Sequence, residues 1–108
     1  MAVNDAFGTS NDALGDTNSL IVDGSTTATG AVELTEAGAD GDCKVYREVD
    51  TAGDGSWATS VLIDKPTGTW HTRENLLLVS QSQNVRFRIK NVSGGPIAVF
   101  AAGYEVDN

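Results

Sequence analysis

The chain carries one histidine, His71, and one cysteine, Cys43, so any nucleophilic or metal-assisted chemistry has to be built on that pair or on carboxylates. A Ser-His-Asp arrangement needs an imidazole set between a hydroxyl and a carboxylate. Hydroxyl residues are plentiful here, but no Gly-x-Ser-x-Gly elbow occurs. His71 precedes Thr72, Arg73 and Glu74 in what reads as an exposed loop, where it is a surface histidine rather than a catalytic one. One Cys and one His cannot fill a tetrahedral zinc site. Calcium is a closer question: Asp50-Thr-Ala-Gly-Asp54-Gly55 has acids at the first and fifth positions of an EF-hand-like loop and Gly at the sixth. Ala52 at the third position and Val61 at the twelfth break that pattern, and a turn between strands explains Asp and Gly equally well. Asp40 and Asp42, near Glu36, carry the same ambiguity. Neither Gly-x-x-x-x-Gly-Lys nor a Gly-x-Gly-x-x-Gly joining strand to helix is present, so nucleotide binding is set aside. The expectation is a protein that is not an enzyme and holds no cofactor and no metal.

Binding chemistry offers more. Trp57, Trp70, Tyr46 and Tyr104 could line a platform on which sugar rings stack. Trp57 shares parity with Val61 and Ile63 and is assigned to the core, which leaves Trp70, in a turn-flanked segment, as the candidate for exposure. Arg86, Arg88 and Lys90 put three of the seven Lys and Arg residues on one strand face. Three bases in a chain of net charge −8 make a poor nucleic-acid site. They are expected to pair with acids of an adjacent strand or of another copy of this chain.

The element that positions those bases is Asn84–Val92, where Val85, Phe87 and Ile89 alternate with Arg86, Arg88 and Lys90, a strand with one dry and one basic face. Ser93-Gly94-Gly95-Pro96 then turns the chain into a second strand, Ile97 to Val106, and the two together read as a C-terminal hairpin. Further strands are expected at residues 19–23, 31–35, 43–50, 57–64, 69–72 and 75–80, separated by Gly, Asp, Ser and Pro turns. Arg47 breaks the apolar parity of Cys43, Val45 and Val49 and is expected to mark the end of buried coverage, the alternative being an ion pair at a subunit boundary. Helical spacing with caps at both ends appears nowhere. The fold class is therefore all-β, a single antiparallel β-sandwich, jelly-roll-like, of about seven or eight short strands.

At 108 residues one core suffices, since a chain of that length buries about 65% of its unfolded surface. Residues 1–18 are mostly Asn, Asp, Gly, Ser, Thr and Ala, with Val3, Phe7 and Leu14 as isolated apolar anchors. They read as a flexible N-terminal arm ahead of a sandwich domain at 19–108, mobile in the free protomer or ordered on a neighbour. The lone Cys43 fits synthesis in a reducing cytosol. No apolar run reaches the roughly 20 residues that span a bilayer, and the first residues lack the pattern of a signal peptide, so no membrane partner is expected. The first 43 residues hold Asp5, Asp12, Asp16, Asp23, Glu33, Glu36, Asp40 and Asp42 without a Lys or Arg, and the remainder is neutral.

The small-residue arm, the acidic all-β body and the ending Val85-Arg-Phe-Arg-Ile-Lys-Asn-Val-Ser-Gly-Gly-Pro-Ile-Ala-Val-Phe together resemble small tailed-bacteriophage virion proteins, of the head decoration (cement) or capsid- and fibre-associated sandwich type. The resemblance implies a non-enzymatic structural protein made in the host cytoplasm and located in the virion. It implies a homotrimer at local three-fold positions, with the major capsid protein as partner, stabilising the head by bridging capsomers. The partner-binding residues it points to are Val3, Phe7, Leu14, Trp70, Arg86, Arg88 and Lys90. A carbohydrate-binding sandwich module is the alternative.

Overall fold

The computed structural model describes residues 2–23, 31–50, 55–73, 76–79 and 84–107. These form nine strands: β1 (Ala2–Leu14), β2 (Ser19–Asp23), β3 (Ala31–Ala39), β4 (Cys43–Asp50), β5 (Thr59–Asp64), β6 (Trp70–Thr72), β7 (Leu76–Val79), β8 (Asn84–Asn91) and β9 (Ile97–Asp107). One antiparallel sheet runs β1-β9-β3-β6, with β7 also on β3, and the other runs β2-β8-β4-β5. Strands β6 and β7 lie on the same side of β3, against Ala37–Ala39 and Ala31–Leu34, and so make one interrupted edge. Counted that way, each sheet has four positions, and the chain crosses between sheets at every step except β4 to β5. That order is the double-Greek-key wiring of a jelly roll. The expected all-β antiparallel sandwich is the fold.

Dry faces meet between the sheets. The first sheet contributes Leu34, Ala37, Val99 and Ala101, the second Val22, Val45, Val85, Phe87 and Ile89, and Leu14 closes one end. Phe87 is 1% exposed and is the largest fully buried side chain.

Three sequence expectations change. The strands read as a C-terminal hairpin, β8 and β9, belong to different sheets: β8 pairs with β2 and β4, and β9 with β1 and β3. Each has one strongly apolar face, and both faces are satisfied by meeting across the core rather than lying edge to edge. The segment read as a flexible arm is β1, paired from Ala2 to Leu14 along β9 of the same chain. Its small, polar residues suit an outermost strand, which needs little burial once its backbone groups are taken up by a neighbour. Leu14 is buried in the core, while the side chains of Val3 and Phe7 lie outside the described residues. Third, β3 runs past the expected end at Thr35 to Ala39, through a bulge between Leu34 and Glu36 at which Thr35 Oγ1 donates to Ala102 O at 3.0 Å. The Asp50–Gly55 loop is described only at its ends, where the Gly55 N–H donates to Asp50 Oδ2 at 2.7 Å.

Asn91, fully buried, ties the two ends of this wiring together. Its Nδ2 donates to Leu14 O at 2.9 Å and Gly95 O at 2.8 Å, while its Oδ1 accepts from Ser93 N at 2.9 Å and Ser93 Oγ at 2.7 Å. Its backbone accepts from Thr17 N and donates to Asn18 O. The turn after β1, which holds Thr17 at φ 67°, and the turn after β8, which holds Gly94 at φ 93°, are thus fixed through one residue. Asn91→Asp presents a carboxylate to two carbonyl oxygens and is expected to cost about 2–3 kcal/mol. Urea unfolding at neutral pH measures this, and a midpoint equal to that of the parent protein would show that the amide does not carry this junction.

Candidate functional site

The alternation of β8 places Arg86, Arg88 and Lys90 on the outer face of the second sheet. Register then decides their neighbours. Ile21, Arg88, Tyr46 and Leu62 form one row across the four strands, and Arg86, Glu48 and Ser60 lie in the next. Glu48, which the sequence marks only by its parity, is 4% exposed. Its carboxylate accepts Arg86 Nε at 2.8 Å on Oε1, and Arg88 Nε at 3.1 Å and Ser60 Oγ at 2.8 Å on Oε2. Each guanidinium also lies over an aromatic ring: Arg86 is 4.1 Å from the Trp57 centroid and Arg88 4.3 Å from that of Tyr46. Burial pushes the Glu48 carboxyl up, but the hydrogen bonds from Ser60 and Arg86 and the charge of Arg88 outweigh it and hold the group below the ordinary glutamate range.

This cluster answers where the basic face finds its acids: Arg86 and Arg88 pair with the adjacent strand of their own chain. Lys90 stands opposite Lys44 and Ser19. Trp57, assigned by parity to the core, instead lies under Arg86. Val61 and Ile63, which share that parity, are exposed, because β5 is the last strand of its sheet and packs chiefly against β4. Arg47 is exposed where its register partners are Phe87 and Val61, but it does not end the buried coverage: Val49 packs against the core and Asp50 is buried beyond it. Trp70 is half-buried against the core, with its Nε1 donating to Gly41 O at 3.2 Å.

A second feature lies at the β6 edge of the first sheet. An open cavity of about 320 Å³ is lined by Asp40, Thr69, Trp70, His71, Ala98 and Phe100, among others. Gly38, between Phe100 and His71 in register, lets the Phe100 ring lie close to the backbone: a Cβ there would stand 2.6 Å from that ring and 2.8 Å from Trp70 O. His71 meets Phe100 edge-on at 5.4 Å between centroids, and its Nε2 is 2.9 Å from Glu36 Oε2. Cys43 is buried against the same corner. Burial raises its thiol pKa against an opposing contact from Trp70, and the charges of Asp42 and Asp40 add smaller upward pushes. The aspartates considered as metal ligands each serve a backbone amide: Asp40 accepts from Ala98 N at 2.8 Å and Asp42 from Gly68 N at 2.6 Å.

Charge is divided by sheet. Strands β1, β3 and β9 carry Asp5, Asp12, Glu33, Glu36, Glu105 and Asp107 and no Lys or Arg, while β4 and β8 carry Lys44, Arg47, Arg86, Arg88 and Lys90. Strands β2, β4, β5 and β8 also hold Asp23, Glu48, Asp50 and Asp64, so five bases there meet four acids and the second sheet is near neutral beside an acidic first sheet.

No family model matches this chain. Gp30 of Haloferax tailed virus 1 is 32% identical to it over 103 residues, which cover 93% of this chain and 88% of the viral protein. The chain belongs to the family of that tailed-virus protein. The match spans nearly the whole chain rather than a single motif. A viral origin is what the resemblance read from the β8–β9 ending implied.

The Glu48 cluster makes a prediction for the Gp30-family fold. Glu48→Ala leaves two partly exposed guanidinium groups without their carboxylate and is expected to cost about 2–3 kcal/mol. A carboxyl held low in the folded state gives stability that is whole above its unfolded value and is lost as pH falls through the folded one. Unfolding free energy should therefore fall more steeply below about pH 4 in the parent protein than in Glu48→Ala. Parallel curves in that range would remove Glu48 as the source.

Proposed function

We propose that this chain is a non-enzymatic structural protein of a tailed-virus particle, which binds the outer surface of the head and stabilises the shell as a trimer. The observation that carries the reading is the near full-length likeness to a tailed-virus protein. The jelly roll agrees with it, an architecture common in capsid proteins. So does the use made of polar side chains: Glu48, Asn91, Asp40 and Asp42 hold turns and strands in place, and His71 is engaged with Glu36. The acidic first sheet and the near-neutral second sheet with its Arg86–Glu48–Arg88 layer give the protomer two different sides. Weak contacts of each copy, repeated over a lattice, add through avidity.

A second reading, a carbohydrate-binding module, is favoured by the cavity beside Phe100. There His71, Thr69 and Asp40 offer polar groups next to an aromatic ring. In that reading the sugar meets Phe100 rather than Trp70, whose indole is turned to Gly41 and the core.

The two are separated by one pair of measurements. Purified protein mixed with heads that lack it is expected to co-sediment to a saturating ratio and to raise the temperature at which the heads lose their contents. Protein that stays in the supernatant at every concentration overturns the capsid reading. If a glycan array also returns saturable binding lost in Phe100→Ala, the carbohydrate reading takes its place.

A further inference from the structure

Among the described residues four large apolar side chains stand exposed: Ile21 at 40%, Val61 at 41%, Leu62 at 45% and Ile63 at 38%. Single exposed apolar residues are ordinary on any protein, but these four all lie on β2 and β5, the two opposite edges of the second sheet. Every residue of β5 is exposed. The strand has neither proline nor lysine within Thr59–Asp64, and its one bulge lies toward the Asp64 end, so its outer edge lacks most of the devices that keep sheets from pairing with one another.

The flanks that carry these edges are oppositely charged. The flank of β1 and β2 holds Asp5, Asp12, Asp16 and Asp23 with no Lys or Arg through residue 23. The flank of β5 and β6 holds Lys65 and Arg73 against Asp64 and Glu36, the Arg73 side chain being 80% exposed with its Nε 4.0 Å from Glu36 Oε2, and Arg47 stands exposed on β4 beside it.

We propose that copies of this chain join head to tail, the β5 edge of one lying against the β2 edge of the next, in a closed ring. Three observations select this contact. It covers all four exposed apolar residues, whereas a two-fold contact of β5 with β5 leaves Ile21 in water. It brings the acidic flank of one copy to the basic flank of the next, whereas β2 against β2 sets four aspartates against four. It also continues the sheet: β5 is antiparallel to β4 and β2 to β8, so the approaching edges run in opposite directions and their free backbone groups can pair. A heterologous contact of this kind closes when its rotation divides the circle. The inference concerns contacts between copies and does not rest on the capsid reading.

The test uses two single variants, Ile21→Cys and Leu62→Cys, with the buried Cys43 left in place. Both sites are exposed, and unchanged near-ultraviolet circular dichroism checks the fold. Under mild oxidation the mixture of the two is expected to give a covalent dimer that neither variant gives alone, and the double variant a ladder that ends at the ring size. Light scattering of the unmodified chain should show a multiple of the single-chain mass. The Val61→Lys, Ile63→Lys double variant should raise the dissociation constant at least about tenfold. A covalent dimer from Leu62→Cys alone overturns the proposal in favour of a two-fold contact. A single-chain mass at all concentrations overturns it, and so does a multimer that neither cross-links nor responds to the lysines.

Discussion

The buried amide of Asn91 is the constraint on which the rest of this structure depends. A jelly roll sends the chain from one sheet to the other at almost every connection, and each such passage leaves backbone groups at the rim of the sandwich where no ladder takes them up. Asn91 satisfies the carbonyls of Leu14 and Gly95, the amide and hydroxyl of Ser93, and through its own backbone the turn at Thr17 and Asn18. An amide side chain, with two donors and two lone pairs on one planar group, can do all of this at once, and an aspartate or leucine of similar size cannot. With that corner fixed, β1 is aligned along β9 and β2 along β8, and the two dry faces come together over Phe87.

The second sheet solves a different problem on its wet side. Arginines in successive outward positions of a strand repel one another, and Glu48 on the neighbouring strand meets both while Trp57 and Tyr46 cover their flat faces. The result is a polar layer stacked on the outside of the sheet, opposite the apolar core. It explains why a chain with an excess of acids keeps so many of its bases together: they are structural partners of one buried carboxylate. The layer stops at β5, whose residues are exposed on both sides.

Most of the fold was legible in the sequence, because period-2 alternation survives wherever a strand has one dry face, as in Val85–Lys90 and Cys43–Tyr46. It misled where a strand lies at an edge. Over residues 57–64 the alternation of Trp57, Val61 and Ile63 is indistinguishable from that of a buried strand, since parity says which residues share a side but not whether anything covers it. Residues 2–14 posed the converse case: without a hydrophobic pattern they read as an arm, although backbone pairing to β9 and the buried Leu14 at the strand's end hold them in place. The junction at Asn91 was visible only as the generic Asn-x-Ser-Gly-Gly spacing, and nothing local tells a buried amide from an exposed one. Glu48 could have been found by asking which residue of the preceding paired strand falls opposite Arg86. That needs the register, which the bulge-free pairing of β4 with β8 supplies.

The pairing of β1 with β9 joins Ala2 to Asp107 and Val3 to Val106, the longest separations along the chain that the fold contains. On a ribosome, β1 is made long before its sheet partner β9, so β1 joins the first sheet only after β9 emerges, whereas β3 can pair with β6 and β7 earlier. The pairing of β4 with β5 is the one between strands adjacent in the chain; β3 waits for β6 and β7, β2 and β4 for β8, and β1 for β9. A topology so rich in distant pairings folds on the slow side, in the millisecond-to-second regime of all-β domains. During that interval the edges of β3 and β8 are open to whatever copy of the chain is nearest, which makes the rate of translation relative to local concentration a determinant of yield.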